Sequence, residues 1–363
     1  MDSTPANCAQ VDSRSASKLR PRYYPADPRN GENAMIIKAL IALNLLLFAS
    51  SNGNAGQASS VPLSMRFLYP SLSGTFAAAW IAKDAGYFAA ENLDVELIRV
   101  GGSTRIVASM VGGSAPIIHA GASASMAATV AGSDSVIIGC MSTKSPFHLI
   151  ARPEIKQPSD LKGKRAGISA FGATSDFLVR LALRRFGLEP GKDVAILPTG
   201  GESEAFAALQ AGSVQVAALA YPAYIHAMKM DMKELVNFSE LGFEAVNAAL
   251  VSTRSYLASN RDQSTRFVRA LIRGMHRYGS DKEFSKKVLS KYFRTTDNEV
   301  LEASWKDVAP HLLKVPRPSA KAIQFIIDGQ FKDKTPPLKA EIFVDTSIID
   351  QLERSGFIDS VYR

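Results

Sequence analysis

Residues 66–125 decide the fold and read RFLYPSLSGTFAAAWIAKDAGYFAAENLDVELIRVGGSTRIVASMVGGSAPIIHAGASAS. Three times in this stretch a short apolar run ends in a loop of Gly, Ser and Thr, and a helical pattern begins directly after the loop. The loops are residues 71–75, 101–104 and 121–125. In open α/β sheets such loops lie at the carboxyl ends of parallel strands, where ligands bind. The stretch therefore predicts an α/β fold that holds a small molecule.

A second series of apolar runs and polar loops follows, and from residue 262 onward the pattern is almost entirely helical. The loops of this series are residues 170–176, 199–203 and 220–222. Two α/β series with crossings near residues 150 and 250 predict two lobes joined by two crossover strands at a hinge. The expected ranges are 59–150 and the helical 251–363 for lobe 1, and 151–250 for lobe 2.

The composition is that of an ordinary globular protein. The chain has 363 residues, of which 46% are hydrophobic and 21% are charged, close to the globular average. Its length allows two domains of ordinary size or one large α/β unit. Its formal net charge is +8, and residues 261–294 contain ten basic and three acidic residues. This pattern favours an amphipathic helix with a solvated basic face. A docking surface for an acidic partner is the alternative, and nucleic acid is not expected as a partner.

Residues 36–49 form one apolar block with a single Lys and a single Asn. The block is shorter than the roughly 20 apolar residues that a membrane span needs, and small polar residues follow it. This layout predicts a signal peptide over residues 35–58, an irregular extension over residues 1–34 and a periplasmic protein. An uncleaved anchor is the alternative. Translation from Met35 instead of Met1 would account for the long extension.

Several segments resemble those of one family of binding proteins. They are Gly-Tyr-Phe at 86–88, Asn-Leu-Asp-Val-Glu at 92–96, Gly-Gly-Ser at 101–103, Asp-Leu-Lys-Gly-Lys at 160–164 and the helix-Gly-strand segment at 208–215. The family is that of the substrate-binding proteins of ABC importers for nitrate, sulfonate, taurine and thiamine-precursor ligands. The resemblance implies the two-lobe periplasmic binding protein fold of type II, closure on the ligand by a hinge, an ABC permease as partner and a monomer.

Two departures from the family pattern bear on function. Gln215 stands where family members usually carry Asp, and the Cys-rich run of the fungal thiamine-pyrimidine synthases is missing. The resemblance therefore favours a secreted solute-binding protein that captures a small organic anion or related metabolite and delivers it to a permease. An enzyme of thiamine-pyrimidine-precursor synthesis on the same fold is the alternative. A ligand-sensing domain of a regulator is a third candidate.

The loops provide most of the candidate ligand-binding residues. A helix N-terminus carries about half a positive charge and up to four free N–H donors, so several such ends on one cleft can hold an anionic group. The candidates at these ends are Ser73, Gly74, Thr75, Ser103, Ser123, Thr143, Gly172, Ala173 and Thr174. The alternative for each Ser or Thr is a helix cap without a ligand.

Four further residues complete the predicted site. Arg105 is the nearest cation and can clamp a carboxylate or sulfonate, or else point to solvent. Phe171 and Tyr221 are candidates for apolar walls, and Glu202 can accept hydrogen bonds from a ligand amino group. The sequence has no His-Glu-x-x-His, no Cys-x-x-Cys and no phosphate loop. No catalytic residue, metal or cofactor is therefore predicted.

Overall fold

Ten strands form two five-stranded sheets in residues 61–363, the part of the chain that the computed structural model describes. The predicted extension over residues 1–34 and signal peptide over residues 35–58 lie outside these residues. The strands are β1 (Leu63–Tyr69), β2 (Leu93–Arg99), β3 (Ile117–Ala120), β4 (Ser135–Ser142), β5 (His148–Ala151), β6 (Arg165–Ile168), β7 (Ala195–Pro198), β8 (Val216–Leu219), β9 (Lys233–Asn237) and β10 (Asn247–Thr253).

Helices follow most of the strands and make up the elements after β10. They are α1 (Ala77–Asp84), α2 (Tyr87–Ala90), α3 (Ser103–Val111), α4 (Ala122–Val130), α5 (Thr174–Arg185), α6 (Glu202–Gln210), α7 (Ala223–Met228), α8 (Arg254–Ser259), α9 (Arg261–Ser280), α10 (Lys282–Phe293), α11 (Asn298–Val308), α12 (Ala320–Gln330), α13 (Ser347–Arg354) and α14 (Phe357–Val361). Within residues 61–363, none of the helices has both the length and the apolar character that a membrane span requires.

The two sheets have the same arrangement of strands. The first runs β2-β1-β3-β10-β4 and the second runs β7-β6-β8-β5-β9. β1 pairs in parallel with β2 and β3, and β6 pairs in parallel with β7 and β8. The fourth strand of each sheet, β10 or β5, is antiparallel to both of its neighbours. The first sheet belongs to lobe 1 and the second to lobe 2, which confirms the predicted two-lobe α/β class.

The chain passes between the lobes twice. The first crossing is residues 143–147, between β4 and β5, and the second is residues 241–246, between the 3-10 turn Phe238–Glu240 and β10. This corrects the boundaries expected near residues 150 and 250, which fall inside β5 and β10. The physical reason is that an apolar run predicts a strand without showing which sheet the strand joins.

Apolar side chains cover both faces of each sheet. In lobe 1 the fully buried Trp80 of α1 stacks on Tyr292 of α10, with ring centroids 4.7 Å apart. The rest of α1 is rich in Ala, and α9 packs closely against it. A Cβ added at Gly274 of α9 would lie 2.9 Å from Ala82 Cβ and even closer to the Ala78 carbonyl oxygen. Small residues therefore allow α9 to approach the helix that follows the first polar loop.

The predicted basic helix is α9, and its arginines form ion pairs within the chain. Arg269 Nε and Arg273 Nη1 donate to Glu91 Oε1 at 3.1 and 2.7 Å, and Arg277 pairs with Asp281 at 3.1 Å. The basic face is thus largely paired with acidic side chains of lobe 1.

Helix α12 packs against both lobes. Its residues Ile323 and Ile326 belong to the core of lobe 1. Phe325 of the same helix stacks on Phe243 of the second crossing at a centroid distance of 4.4 Å and meets Phe177 of lobe 2 edge-on at 5.5 Å. The expected helical part of lobe 1 therefore also contacts lobe 2 beside the hinge.

We predict that Gly274→Ala lowers the free energy of unfolding by about 1 to 3 kcal/mol, because its Cβ would collide with the α1 backbone. The matched control is Gly279→Ala in the same helix, where the nearest heavy atom, the Ala309 carbonyl oxygen, lies at an ordinary 3.6 Å. Helix propensity alone makes this control neutral or stabilising by up to about 1 kcal/mol. Chemical denaturation of both variants measures the difference, and equal stabilities would contradict the close packing.

Candidate functional site

A cleft lies between the two lobes. It encloses about 750 Å³ of empty space, part of which is open to solvent. Its walls come from segments that follow β1, β2 and β3 in lobe 1 and β6, β7 and β8 in lobe 2, together with both crossings. The carboxyl ends of the parallel strands in both sheets therefore face one shared cleft, as expected for a ligand site in open α/β sheets.

Four helices begin at the cleft, two from each lobe. The N-cap residues of α3, α4, α5 and α6 are Gly102, Gly121, Ala173 and Gly201, and none of these four forms a side-chain cap. Gly and Ala have no side-chain oxygen, so the first N–H groups of these helices are not satisfied by their own N-caps. The positive ends of four helix dipoles thus converge on the cleft from both sides.

Serine hydroxyls fix the loops at these helix starts. Gly121 N donates to Ser103 Oγ at 2.9 Å, which joins the start of α3 to the loop before α4. In lobe 2, Ser169 N donates to Ser175 Oγ at 2.9 Å. Such side-chain to backbone bonds hold a loop in one conformation. The Ser103 and Ser175 hydroxyls therefore hold the walls of the cleft in place.

The lobes touch each other at the mouth of the cleft. Thr104 Oγ1 of lobe 1 donates to the Phe171 carbonyl oxygen of lobe 2 at 3.0 Å. A Cβ added at Gly101 would lie 2.6 Å from the carbonyl oxygen of Gly200, so this approach of the two backbones requires glycine. The structure therefore has its lobes in a closed arrangement.

An exposed ion-pair cluster also joins the lobes. Lys229 Nζ, just after α7 in lobe 2, lies 3.3 Å from Asp297 Oδ2 and 2.7 Å from Glu299 Oε2 at the start of α11. Exposed ion pairs contribute little free energy in water. This cluster therefore orients the closed lobes more than it stabilises them.

Glu202 is the one ionisable side chain among the described residues that line the cleft. Its Oε1 accepts a hydrogen bond from Ala220 N at 2.7 Å, and it also accepts one from the Ser71 side chain of lobe 1. Desolvation raises the pKa of the Glu202 carboxyl, and these two hydrogen bonds oppose that rise. The carboxyl group thus contacts both lobes.

Five of the residues predicted for the site line the cleft, and eight lie outside its lining. The five are Ser73, Thr75, Ser103, Thr174 and Glu202. The eight are Gly74, Arg105, Ser123, Thr143, Phe171, Gly172, Ala173 and Tyr221. Only the first group supports a proposal of direct ligand contact.

Three long side chains of the prediction point elsewhere. Arg105 is exposed on α3, so the expected clamp on an anion has no geometric support. Phe171 is 52% exposed and contributes its carbonyl oxygen to the mouth contact. Tyr221 packs against the rings of His148 and Tyr224, with centroid distances of 5.8 and 5.0 Å. The loop positions of these residues correctly indicated that they lie near the cleft, but they did not indicate where the side chains point.

The other residues outside the lining have structural roles. The Thr143 carbonyl oxygen accepts a hydrogen bond from Ala245 N at 2.7 Å, which ties the two crossings together. Gly74 packs against Tyr278, whose Oη would lie 3.0 Å from an added Cβ. Ser123, Gly172 and Ala173 lie at helix starts without reaching the cleft surface.

The sequence prediction missed the contribution of the crossings. They add Ser145, Pro146, Phe147, Ala245 and Val246 to the lining, and Asn247 and Ala248 follow at the start of β10. The polar loop at residues 141–145, which follows the apolar run at 135–140, was the available sequence signal for Ser145. The sequence gives no comparable signal for the second crossing. Its residues border the cleft only because β10 returns to lobe 1, and this return is not visible in a local pattern.

A smaller cavity of about 300 Å³ lies next to the cleft and shares Ser145, Pro146 and Asn247 with it. Asp307 of α11 borders this cavity, and its Oδ2 is buried with no hydrogen-bond partner among the described residues. Burial raises the pKa of Asp307 to about 7, although the nearby Lys144 acts in the opposite direction. The hinge region therefore contains one carboxyl group that titrates near neutrality.

Two lobes of like topology, joined by two crossings and closed over a cleft lined by helix starts, define a periplasmic binding protein fold of the two-lobe type. The sequence matches the family described as NMT1/THI5 like over residues 73–281, and the chain belongs to this family.

Individual relatives agree with this assignment. YtlA of Bacillus subtilis (strain 168), provisionally named a binding protein, is 22% identical over 236 residues, or 63% of this chain and 70% of YtlA. The alkanesulfonate-binding protein SsuA from Xanthomonas axonopodis pv. citri, solved with MOPS, has a TM-score of 0.64 at 19% identity and covers 80% of this chain and 98% of its own. The periplasmic nitrate-binding protein NrtA from Synechocystis PCC 6803 has a TM-score of 0.58 at 15% identity, and the match covers 68% of this chain and 69% of NrtA.

These matches confirm the resemblance to the substrate-binding proteins of ABC importers that the sequence segments indicated. The structural likenesses, all at low sequence identity, support the fold.

We predict that Asp307→Asn stabilises the protein at pH 8 by about 1 to 3 kcal/mol. In the unfolded chain this carboxyl loses its proton near pH 4, and in the folded protein only near pH 7. Between these values the folded state binds more protons, so wild-type stability falls as the pH rises from about 4 to about 7. The Asn variant has no carboxyl group here and so does not lose stability in this way. Its stability advantage over wild type should therefore shrink toward pH 4. Denaturation curves at both pH values test this, with the exposed Asp333→Asn as control.

Proposed function

We propose that this protein is the solute-binding component of an ABC importer, which captures a small organic anion or related metabolite between its lobes and delivers it to a permease. The proposed solutes include sulfonates, carboxylates, nitrate and pyrimidine precursors. The observation that carries the proposal is the convergence of four uncapped helix starts, two from each lobe, on one closed cleft. Free N–H groups at helix starts are well suited to acceptor atoms of a ligand.

The lining of the cleft supports a small organic solute. Hydroxyl groups of Ser73, Thr75, Ser103 and Thr174 lie on one set of walls, whereas Phe76, Phe147, Val246 and several Ala residues form the others. Mixed linings with a few convergent polar groups are typical of small-molecule sites. The apolar part of this lining would bury the carbon skeleton of a ligand, and the hydroxyl and N–H groups would orient its polar head.

Periplasmic location and transfer to a permease are the remaining parts of the proposal. They are supported by family membership, by the binding proteins among the relatives and by the signal-like sequence of residues 35–58. In this role the closed lobes would present the permease with a surface that exists only when the cleft is occupied.

The test is a thermal-shift screen of the purified protein against a solute library, followed by calorimetry and mass analysis of the bound solute. A solute at 100 times its dissociation constant should add about 2.7 kcal/mol of stability. Recovery of the solute unchanged after incubation supports binding and transport, and its conversion would instead favour an enzyme of pyrimidine-precursor synthesis. A library that yields no binder would count against the proposal.

We predict that Thr174→Val weakens solute binding by about 1 to 3 kcal/mol, the typical effect of losing one buried hydrogen bond to a polar or charged ligand. Thr174 lines the cleft at the start of α5. The control, Thr296→Val, removes the same hydroxyl from an exposed position before α11 and should leave affinity unchanged. Calorimetry with the solute found in the screen compares the two variants, and equal affinities would remove Thr174 from the site.

We predict that Gly101→Ala prevents full closure, because its Cβ would meet the Gly200 carbonyl oxygen of the opposite lobe at 2.6 Å. Affinity should then fall for every solute that binds. The control, Gly112→Ala, has its nearest contacts within lobe 1, at 3.3 Å from the Ala108 carbonyl oxygen. Small-angle scattering should show a ligand-induced decrease in the radius of gyration for wild type and control. The same decrease in the Gly101 variant would contradict the closure mechanism.

A further inference from the structure

The cleft contains one ionisable side chain, and that side chain is acidic. Of the 23 described residues that line it, Glu202 alone is ionisable, and Lys, Arg and His are not among them. Arg105, the cation closest in sequence to the helix starts, is exposed on α3. A free anion in this cleft would therefore meet helix starts on some walls and a carboxylate on another, without a cationic side chain to offset the repulsion.

The Glu202 carboxylate retains acceptor capacity for a ligand. It stands at the first residue of α6, but Oε1 is turned to Ala220 N at the end of β8. Ser71 of lobe 1 supplies a second hydrogen bond. A carboxylate has about four lone-pair positions, so two bonds to the protein leave room for a donor from the cleft. A buried carboxylate gains most from a donor that is itself positively polarised.

We propose that Glu202 determines specificity in the cleft by accepting a hydrogen bond from an N–H donor of the solute, so that the solute carries an amino, amidino or amino-heteroaromatic group. This inference rests on the proposed capture of a solute and narrows its chemical class. The N–H groups at the helix starts donate to the acceptor end of the solute, and Glu202 accepts from its nitrogen end. Nitrate and simple alkanesulfonates have no such donor.

Glu202 also has a second possible role, as a contact that holds the lobes together. Its bond with Ser71 joins lobe 2 to lobe 1, and both residues border an outer depression that also contains His226. A purely structural contact would affect all solutes alike. A specificity residue instead changes the ratio between solutes with and without the nitrogen donor. The experiment must therefore measure that ratio.

The experiment uses the purified protein and matched pairs of solutes that differ in the nitrogen donor. The probes are taurine against ethanesulfonate, β-alanine against propionate, and 4-amino-2-methylpyrimidine against 2-methylpyrimidine. Each pair is offered as an equimolar mixture in equilibrium dialysis, and mass spectrometry measures the retained amounts. Three variants accompany wild type. Glu202→Gln keeps a hydrogen-bond acceptor but removes the charge, Ser71→Ala removes the contact between lobes, and Glu204→Gln removes a charge from the same helix turn outside the lining.

In at least one pair we expect wild type and Glu204→Gln to retain the amino member at least about tenfold more strongly than its partner, as the loss of a hydrogen bond to a charged group implies. Glu202→Gln should abolish this ratio. Ser71→Ala should lower both affinities and keep the ratio. Equal retention of both members by wild type, or an equal loss of both in Glu202→Gln, would overturn the inference and leave solute capture intact. Retention of no solute by wild type would overturn both.

Discussion

The cleft depends on where each crossing returns to a sheet. Both crossings lead directly into the antiparallel fourth strand, β5 in lobe 2 and β10 in lobe 1. An antiparallel strand begins at the edge where its parallel neighbours end. The crossings are therefore forced to lie at the carboxyl edges of both sheets, and the two ligand-binding edges must face each other. Every polar loop of the site takes its position from this constraint.

Close approach of the lobes then dictates small residues. Gly101 lies against the Gly200 carbonyl oxygen, and a Cβ at Gly121 would collide with the Thr174 hydroxyl. Larger side chains at these positions would separate the helix starts of the two lobes. Gly121 is also an N-cap residue, and Gly102 and Gly201, which directly follow Gly101 and Gly200, are the N-caps of α3 and α6, so glycine leaves the first N–H groups of these three helices uncapped. Glycine in these loops thus serves both lobe closure and ligand binding. A glycine-rich loop before a helix is therefore a sequence signal for the site.

The sequence predicted the α/β class, the two lobes and the cleft positions of Ser73, Ser103 and Thr174, because strand, loop and helix patterns are local. Side-chain direction is not local. Arg105 follows a correctly predicted helix start, yet it lies on the exposed face of α3. The crossings were misplaced because β5 carries the same apolar pattern whichever sheet it joins. Long-range pairing therefore limited the prediction more than secondary structure did.

The charge distribution of the cleft explains why helix starts and Glu202 occur together. Four helix dipoles attract acceptor atoms, and in an enclosed cleft this field would hold many small anions with little discrimination. Glu202 adds an acidic side chain at the junction of both lobes, where it contacts Ala220 N and the Ser71 side chain. A simple anion gains from the helix starts and loses at the carboxylate, whereas a solute with an acceptor and a nitrogen donor gains from both. Discrimination thus arises from one repulsive element placed within an attractive site.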